Sequence, residues 1–328
     1  MNKEYDVVAL GELLIDFTEN GLSAQGNPLL EVNPGGAPGN VMSMLQNYGR
    51  KTAFIGKVGK DMFGRLLLEA VGSCGIDTKA IIVDDKVHTT LAFVQTFEDG
   101  DRDFSFYRDP GADMMLTKDE VDTDLLRNTK VFHFGTLSST HPGVREATRY
   151  AIDVAKEAGA VISFDPNLRE PLWKSLDDAR AEIEYGLGRC DLLKISDNEV
   201  EFMCGTDDYD RGAAMLEEKY HIPLILITLG YNISVRRDLL RPVLFTAAAR
   251  LVTMGVFCVL SSLIIFRFMP YSREWQTALI IAFSLPASYS IPLFAEIRGH
   301  RDYVSTAISF ETVVTLIVFA AVSVFARM

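Results

Sequence analysis

Residues 7–17 read VVALGELLIDF, and this stretch decides which fold the sequence predicts. The apolar run Val7–Leu10 ends at a glycine, and a carboxylate follows at Asp16. A short apolar run bounded by glycine is typical of a strand buried on both faces of a parallel sheet. Open α/β sheets bind ligands beyond the carboxyl ends of their strands, so Asp16 is a candidate ligand-binding residue. A solvated loop carboxylate is the alternative.

Short apolar runs of the same kind recur as far as residue 229. The candidate strands are Val7–Leu10, Thr52–Val58, Val131–Phe134, Val161–Phe164, Leu192–Ile195 and Leu224–Leu229. Amphipathic stretches lie between them, such as Val144 to Ala158, whose apolar residues follow the helical period. Alternating strands and helices predict a parallel sheet with helices on both faces, that is, a three-layer α/β/α domain.

One segment departs from this alternation. Leu91–Phe97 and Asp103–Tyr107 flank a polar turn at residues 98–101, a pattern that predicts a β-hairpin over Thr89–Tyr107. Antiparallel strands added to a parallel α/β plan usually form a side sheet, so we expect a small β lid here.

Charge is divided unevenly along the chain. The formal net charge of −12 argues against a nucleic-acid partner. Residues 231–328 hold nine Arg, no Lys and five acidic residues, so the negative excess lies entirely in the first 230 residues. Such a break predicts a boundary near Gly230 between two kinds of segment. The four cysteines are widely spaced and form no C-x-x-C pair, which excludes a disulfide framework and a zinc ribbon.

The second segment contains long apolar stretches. Residues 251–266, 278–295 and 304–326 hold a single charged side chain, Glu311. Stretches of about 18–23 residues are long enough to cross a bilayer as helices. The sequence therefore predicts three transmembrane helices within residues 243–326 and a multi-pass protein in contact with the lipid bilayer. The arginines that flank these stretches favour a cytoplasmic N-terminal domain. Buried core helices of a soluble domain are the alternative.

A glycine-rich turn before a helix is one candidate ligand site. Residues 33–40 read NPGGAPGN, and Gly35 and Gly36 would let a ligand approach the backbone closely. The amide of Asn40 can donate and accept hydrogen bonds at once, which suits sugar hydroxyls. A plain tight turn with Asn40 as the helix N-cap is the alternative.

A second polar turn follows the fourth candidate strand. Residues 165–169 read DPNLR, and the guanidinium of Arg169 suits a bidentate contact with phosphate. A structural pair between an aspartate and this arginine is the alternative. The chain contains no Walker A, GxGxxG, HExxH or GxSxG motif, so a nucleotide would not be held by a P-loop.

Together these stretches resemble the PfkB (ribokinase-like) carbohydrate kinases, most closely the bacterial fructokinase type. The resemblance covers residues 1 to about 230. The motifs that carry it are VALGELLIDF at 8–17, PGGAPGN at 34–40, FIGKVG at 54–59, DMFG at 61–64, TTLAF at 89–93, FYR at 106–108, GAD at 111–113, DPNLR at 165–169 and TLG at 228–230.

The resemblance implies ATP-dependent phosphotransfer to a primary hydroxyl of a sugar, with Mg²⁺ as a cofactor. Fructose and 2-keto-3-deoxygluconate are both candidate sugars, and the lid would cover the bound sugar. Lid sheets in this family often pair, so the resemblance also allows a homodimer through the lid.

The resemblance also implies a role for particular residues. The substrate-binding residues would be Asp16, Gly35, Gly36, Asn40, Tyr107, Arg108, Asn167 and Arg169, the last two lying toward the transferred phosphate. Thr228 and Gly230 would begin the nucleotide site. Glu199 would hold the metal through water, although Ser196 stands where many members of the family have asparagine.

The chain departs from the family after residue 230. There the family continues to a G-A-G-D turn that supplies the catalytic base and the anion hole. No such string occurs in these 328 residues, so we expect the kinase fold to be truncated, with no catalytic base and incomplete as an enzyme. Instead, LPASYS at 285–290 and FAE at 294–296 resemble the C-terminal helices of auxin-efflux-carrier (AEC) type permeases.

The predicted domains follow from these two resemblances. Residues 1–230 would form the N-terminal three quarters of a PfkB-type kinase domain, 231–242 a junction, and 243–328 a three-helix, permease-like membrane segment. Three hypotheses stay open: an incomplete sugar kinase homologue, a membrane-transport fragment, and a non-functional fusion of two reading frames.

Overall fold

The computed structural model describes residues 3–96, 102–228, 253–256, 258–267, 270 and 272. The chain divides into two units, Met1–Gly230 and Tyr231–Met328. The strands and helices named below all belong to the first unit.

Strands build the first unit around one large sheet. In chain order the described strands are β1 (Tyr5–Leu10), β2 (Leu14–Leu22), β3 (Pro28–Gly35), β4 (Thr52–Gly59), β5 (Asp77–Asp84), β6 (Leu91–Thr96), β7 (Arg102–Tyr107), β8 (Thr129–Gly135), β9 (Val161–Asp165), β10 (Leu192–Ser196) and β11 (Leu224–Thr228). Seven of them form a parallel sheet in the order β11-β10-β9-β8-β1-β4-β5. The other four form a smaller sheet in the order β3-β2-β6-β7.

Helices connect the strands of the large sheet. The described α-helices are α1 (Ala37–Asn47), α2 (Met62–Ser73), α3 (Thr123–Arg127), α4 (Pro142–Glu157), α5 (Leu176–Leu187), α6 (Asp197–Cys204) and α7 (Tyr209–Tyr220). Parallel strands require such crossover connections, which place helices against the faces of the sheet.

Strand β1 shows why both faces of the large sheet are covered. Val8 and Leu10 are fully buried in an apolar cluster that also contains Ile152 of α4. Ala9, between them, is fully buried in a second cluster that contains Met42 of α1. Successive side chains of a strand point to opposite faces. The two clusters are therefore the two sides of one sheet, and the predicted three-layer α/β/α architecture is confirmed.

Close packing of helix α5 depends on a glycine. Phe164 of β9 is buried and stacks on Phe134 of β8, with 4.7 Å between the ring centroids. The helix lies so near that a Cβ atom at Gly186 would overlap the Phe164 ring. Helix α5 can therefore pack this closely against the Phe164 ring only with glycine at position 186.

The small sheet is larger than the sequence predicts. Strands β6 and β7 pair antiparallel, which confirms the predicted hairpin. Strand β2 pairs in parallel with β6 and antiparallel with β3, and neither β2 nor β3 was predicted. Both carry charged residues on a partly exposed surface, so they lack the continuous apolar run that reveals the buried strands.

All six candidate strands from the sequence lie in the large sheet, at β1, β4, β8, β9, β10 and β11. The sequence missed β5, which begins and ends with an aspartate at one margin of the described sheet. The predicted helix over residues 144–158 is confirmed as α4, which begins two residues earlier at Pro142 because His141 caps it.

The predicted multi-pass membrane protein with a cytoplasmic N-terminal domain is contradicted. Over the residues that the structure describes, no helix is long and apolar enough to cross a membrane. In and next to the first predicted span, the residues described as helical are 253–256 and 258–267. The other two predicted spans, 278–295 and 304–326, lie outside the described residues.

Two glycines at matching helix positions test the packing of α5. Gly186 and Gly72 are each the penultimate residue of a helix, and a Cβ atom at Gly72 would meet nothing within 4 Å. We expect Gly186→Ala to lower the free energy of unfolding by about 1–3 kcal/mol through overpacking. The matched control, Gly72→Ala, should leave it unchanged or raise it by up to about 1 kcal/mol. Urea unfolding curves measure both, and a shift of the same sign and size in the two variants would contradict this account.

Candidate functional site

Asp16 and Gly35 lie together in the small sheet, near the start of β2 and at the end of β3. A Cβ atom at Gly35 would overlap the carboxylate of Asp16, so glycine there leaves room for this side chain. Burial raises the pKa of Asp16, while the nearby guanidinium of Arg169 lowers it. The structure therefore brings two of the predicted site residues, Asp16 and Arg169, into electrostatic contact.

The turn before α1 is shaped by Gly36. Its φ of 120° lies in a region that L side chains rarely adopt, and a Cβ atom there would collide with the carbonyl oxygen of Glu12. Gly36 is the N-cap residue of α1, so Asn40 is not the cap. The side chain of Asn40 is exposed in the first turn of the helix, and its backbone N–H donates to the Gly36 carbonyl at 3.0 Å.

Sequence reasoning passed over Glu12, which is buried beneath this turn. Its Oε1 accepts a hydrogen bond from the Ala37 N–H at 3.0 Å, at the N-terminus of α1. Burial raises the pKa of Glu12 to about 7, and the charge of Asp113 adds to that effect. A buried carboxylate directly after a strand was the available signal, but an adjacent Leu-Leu-Ile run masks it in the sequence.

A small cavity lies next to Glu12 at the carboxyl ends of β8 and β9. It measures about 10 Å³, close to the smallest volume that holds one water molecule. Its lining includes Glu12, His133, Thr136, Asp165 and Asn167. Burial lowers the pKa of His133 to about 4, so its ring is neutral at pH 7 and shares a hydrogen bond with Ser163.

Arg169 joins the loop after β9 to the small sheet. Its guanidinium carbon lies 5.3 Å from the ring centroid of Phe104 on β7. Phe104 lies directly opposite Val94, and Val94 opposite Thr18, two residues beyond Asp16 on β2. Side chains two residues apart share a face of a strand. Asp16 and Phe104 therefore lie on the same face of the small sheet, the face that meets Arg169.

The register of the hairpin separates Tyr107 from this face. Tyr107 lies opposite Leu91, and its ring packs at 5.1 Å from Phe93, on the other side of the sheet from Asp16. Its side chain is 67% exposed. Phe106 takes the place expected for Tyr107, because it lies opposite Ala92, which in turn lies opposite Asp16.

Arg108 is buried and fully engaged within the protein. Its Nε donates to Oδ2 of Asp113 at 2.8 Å, and its Nη1 donates to Oγ1 of Thr140 at 2.7 Å. Its Nη2 donates to the Leu137 carbonyl at 2.9 Å. All three nitrogens of the guanidinium therefore donate to protein groups, and none of them is left for a ligand alone.

The loop after β9 carries the residues that the sequence predicts to lie toward the phosphate. Asn167 has a φ of 45°, in the left-handed region that asparagine tolerates better than most residues. Lys194 of β10 donates to Asp165 at 3.2 Å. Burial raises the pKa of Asp165, and Lys194 opposes that rise.

Glu199 is held by backbone groups. Its Oε1 accepts from the Leu168 N–H at 2.7 Å, and its Oε2 accepts from the Ser196 N–H at 2.8 Å. Among the described residues no group of three His, Cys, Asp or Glu side chains could hold a metal ion. These contacts suit a helix cap that also fixes the loop after β9. The implied water-mediated Mg²⁺ contact of Glu199 stays a prediction.

The predicted nucleotide residues lie at the limit of the described chain. Thr228 ends β11 and is exposed, and its hydroxyl lies 3.5 Å from the Ile195 carbonyl. Gly230 lies outside the described residues, as does most of the segment predicted to be permease-like.

Comparison with known proteins shows which family the chain is similar to. The model of the pfkB family of carbohydrate kinases matches residues 5–232. Probable fructokinase-2 of Arabidopsis thaliana is 44% identical over 228 residues, which is 69% of this chain and 69% of the relative.

Two crystal structures extend the comparison. A double mutant of fructokinase from Vibrio cholerae O395, bound to fructose, ADP and potassium ion, is 27% identical, with a TM-score of 0.61 over 70% of this chain and 72% of that one. An uncharacterized sugar kinase from Pyrococcus horikoshii in complex with ATP is 31% identical, with a TM-score of 0.56 over 61% of this chain and 66% of that one.

These likenesses confirm the fructokinase-like part of the sequence prediction and its ribokinase-like α/β fold. The family match ends at residue 232, so the permease resemblance of the following residues stays a prediction. With a family model that covers most of its length, the chain belongs to the pfkB family of carbohydrate kinases.

Proposed function

We propose that residues 1–230 form a fructokinase-type domain that binds a ketohexose between the small sheet and the carboxyl ends of the large sheet. The observation that carries the proposal is the convergence of Asp16, Arg169 and the Gly35-Gly36 turn at one place. A carboxylate that is partly withdrawn from water accepts strong hydrogen bonds from neighbouring hydroxyls. The two glycines leave room for a sugar to approach the backbone.

The state of Arg108 favours a neutral sugar. A sugar acid such as 2-keto-3-deoxygluconate would need a cation for its carboxylate, and Arg108 was one candidate. Since its guanidinium is buried on Asp113, it is not available without breaking that pair. Fructose, which carries no charge, does not need the cation that Arg108 would have supplied. The fructose and ADP bound to the Vibrio cholerae enzyme support the same choice.

The proposed roles extend to the phosphate and nucleotide side. Asn167 and Arg169 would face the transferred phosphoryl group, and Thr228 and Gly230 would begin the ATP site. ATP bound to the Pyrococcus horikoshii relative supports the nucleotide. Mg²⁺ would neutralise charge on the phosphates, a part it plays throughout phosphoryl transfer.

We further propose that the 328-residue chain turns over only slowly as a kinase. Phosphoryl transfer to a hydroxyl needs a base at that hydroxyl and hydrogen-bond donors at the phosphoryl group. In the resembled family both come from a G-A-G-D turn, and no such string occurs in this sequence. Sugar binding depends on strands that are present, so we expect this chain to bind the sugar without phosphorylating it at an appreciable rate.

Sugar binding is tested with Asp16→Asn in the full chain. Isothermal titration with fructose should show at least about tenfold weaker binding for this variant than for the unmodified protein, because a charged hydrogen-bond partner is lost. Glu19→Gln is the matched control: it removes a carboxylate from the exposed part of the same strand and should leave affinity unchanged. Equal affinities of Asp16→Asn and the unmodified protein would exclude Asp16 as a sugar ligand.

Turnover is tested by coupled ADP release with ATP, Mg²⁺ and fructose. We expect a rate at least about a hundredfold below one per second, because loss of a general base alone costs about 10²–10⁴ in rate. A rate near one per second that Asp16→Ala abolishes would show that a base elsewhere in the chain serves the reaction.

A homodimer through the small sheet is also proposed. Val32 and Tyr107 lie on the face of that sheet opposite Asp16, and they are 38% and 67% exposed. Exposed apolar side chains on one face favour association. Light scattering should give the mass of a dimer, and Val32→Asp should shift it toward a monomer. Val83→Asp, at an exposed valine of β5, is the control and should not. A monomeric unmodified chain would refute the dimer.

A further inference from the structure

The hairpin of β6 and β7 is anchored at its base by two buried threonines. Thr89 donates through its N–H and its hydroxyl to the carboxylate of Asp61, both at 2.8 Å. Asp61 also caps helix α2, so Thr89, just before β6, is fixed to the start of that helix. Thr90, the next residue, is 1% exposed, and its hydroxyl donates to Oδ1 of Asp113 at 2.5 Å.

The exit from β7 reaches the same carboxylate. Arg108 directly follows β7, and its Nη2 donates to Oδ2 of Asp113 at 2.5 Å. The side chains of Arg108 and Asp113 are each only 2% exposed. One carboxylate therefore joins the first residue after the hairpin to the last residue before it.

The far edge of the guanidinium reaches the turn after β8. Nη1 and Nη2 of Arg108 contact the hydroxyl of Thr140 and the carbonyl of Leu137. Leu137 lines the small cavity that also contains Glu12. The three groups, Thr90, Arg108 and Asp113, thus tie the hairpin to the carboxyl ends of the large sheet.

A glycine shows how closely this network is packed. A Cβ atom at Gly111 would overlap the Thr90 hydroxyl and would lie 2.7 Å from Oδ1 of Asp113. Removing two charges from water is costly, and a buried ion pair often adds little net stability compared with apolar residues of the same volume. What such a pair can supply is a defined geometry, since its hydrogen bonds are directional.

We propose that Thr90, Arg108 and Asp113 form a clamp that sets the position of the small sheet over the sugar site. Arg108 then acts as a positioning residue and does not touch the sugar. The face that carries Asp16 and Phe106 is held at a fixed height above Arg169 because both ends of the hairpin meet at Asp113. The inference rests on the proposed sugar site, and it assigns Arg108 a different role from the one implied by the family resemblance.

A double-mutant cycle on fructose affinity separates the two roles of Arg108. If the clamp positions the sheet, Arg108→Lys and Asp113→Asn should each weaken fructose binding by about tenfold. The double variant should then bind fructose at most about threefold more weakly than the weaker-binding single variant. If Arg108 contacts the sugar itself, Asp113→Asn should have little effect and the proposal fails. Additive losses in the double variant would also overturn it.

An exposed ion pair provides the matched control. Arg127 and Asp124 also form an arginine–aspartate pair, and both lie on α3. Their side chains are 58% and 90% exposed. Arg127→Lys and Asp124→Asn should leave fructose affinity unchanged. A loss of affinity in these variants equal to that in the clamp variants would show a general effect of charge and would contradict the clamp.

A milder pair of variants keeps the test decisive if the buried charge variants fail to fold. Thr90→Val removes the hydroxyl that meets Asp113 and keeps the side-chain shape, whereas Thr90→Ser keeps the hydroxyl. Amide hydrogen exchange within β6 and β7 should become at least about tenfold faster in Thr90→Val, with α4 unchanged, and Thr90→Ser should restore slow exchange.

The exchange measurement also separates this inference from the proposed function. An unmodified chain that binds no fructose would refute the sugar site, and the exchange rates would then decide the clamp alone. Faster exchange spread evenly over the whole domain in Thr90→Val would show a role in global stability only, and would overturn the proposal. Unchanged exchange in β6 and β7 would overturn it as well.

Discussion

Burial of the large sheet on both of its faces is the constraint on which the rest of this domain depends. Side chains such as Val8 and Ala9 alternate between two apolar clusters, so the interior of the sheet is largely apolar. The polar side chains of the site are therefore largely confined to positions near the carboxyl ends of the strands. Glu12 follows β1, Asp165 and Ser196 end β9 and β10, and His133 and Lys194 lie two residues before the ends of β8 and β10. The candidate site is the direct result of this confinement, since parallel strands bring all their carboxyl ends to one edge.

Confinement also sets the electrostatics of the site. Burial raises the pKa values of Asp16 and Asp165, and the two cations Arg169 and Lys194 oppose that rise. Arg108 differs from these two cations, because its charge is paired with Asp113 inside the protein. Of the two arginines that the sequence offers to a ligand, only Arg169 stays at the surface of the site.

The parts of the fold that were predictable are those whose sequence pattern is forced by burial. Continuous apolar runs identified six strands, but the apolar residues of β2 and β3 are interrupted by polar and charged residues, so these strands resemble loops in the sequence. The sequence predicted which residues lie at the strand ends of the site, but it did not predict where their side chains point. Tyr107 and Phe106 differ by one position, and one position decides which face of a sheet a side chain occupies. Nothing local to Arg108 shows that Asp113, five residues on, turns back to bind it.

Glu12 has a consequence for the coupling of folding to protons. Its carboxyl has an ordinary pKa of 4.5 and a pKa of about 7 in the folded protein, so the folded chain holds a proton there that the unfolded chain has released. The contribution of this carboxyl to the free energy of unfolding is complete below pH 4.5. It declines as the pH rises from 4.5 to about 7 and is lost above that. The free energy of unfolding on the two sides of this pH range differs by about 3 kcal/mol. Near neutral pH the domain therefore takes up part of a proton when it folds. That proton is held at the N-terminus of α1, where its loss places a full negative charge against the Ala37 N–H.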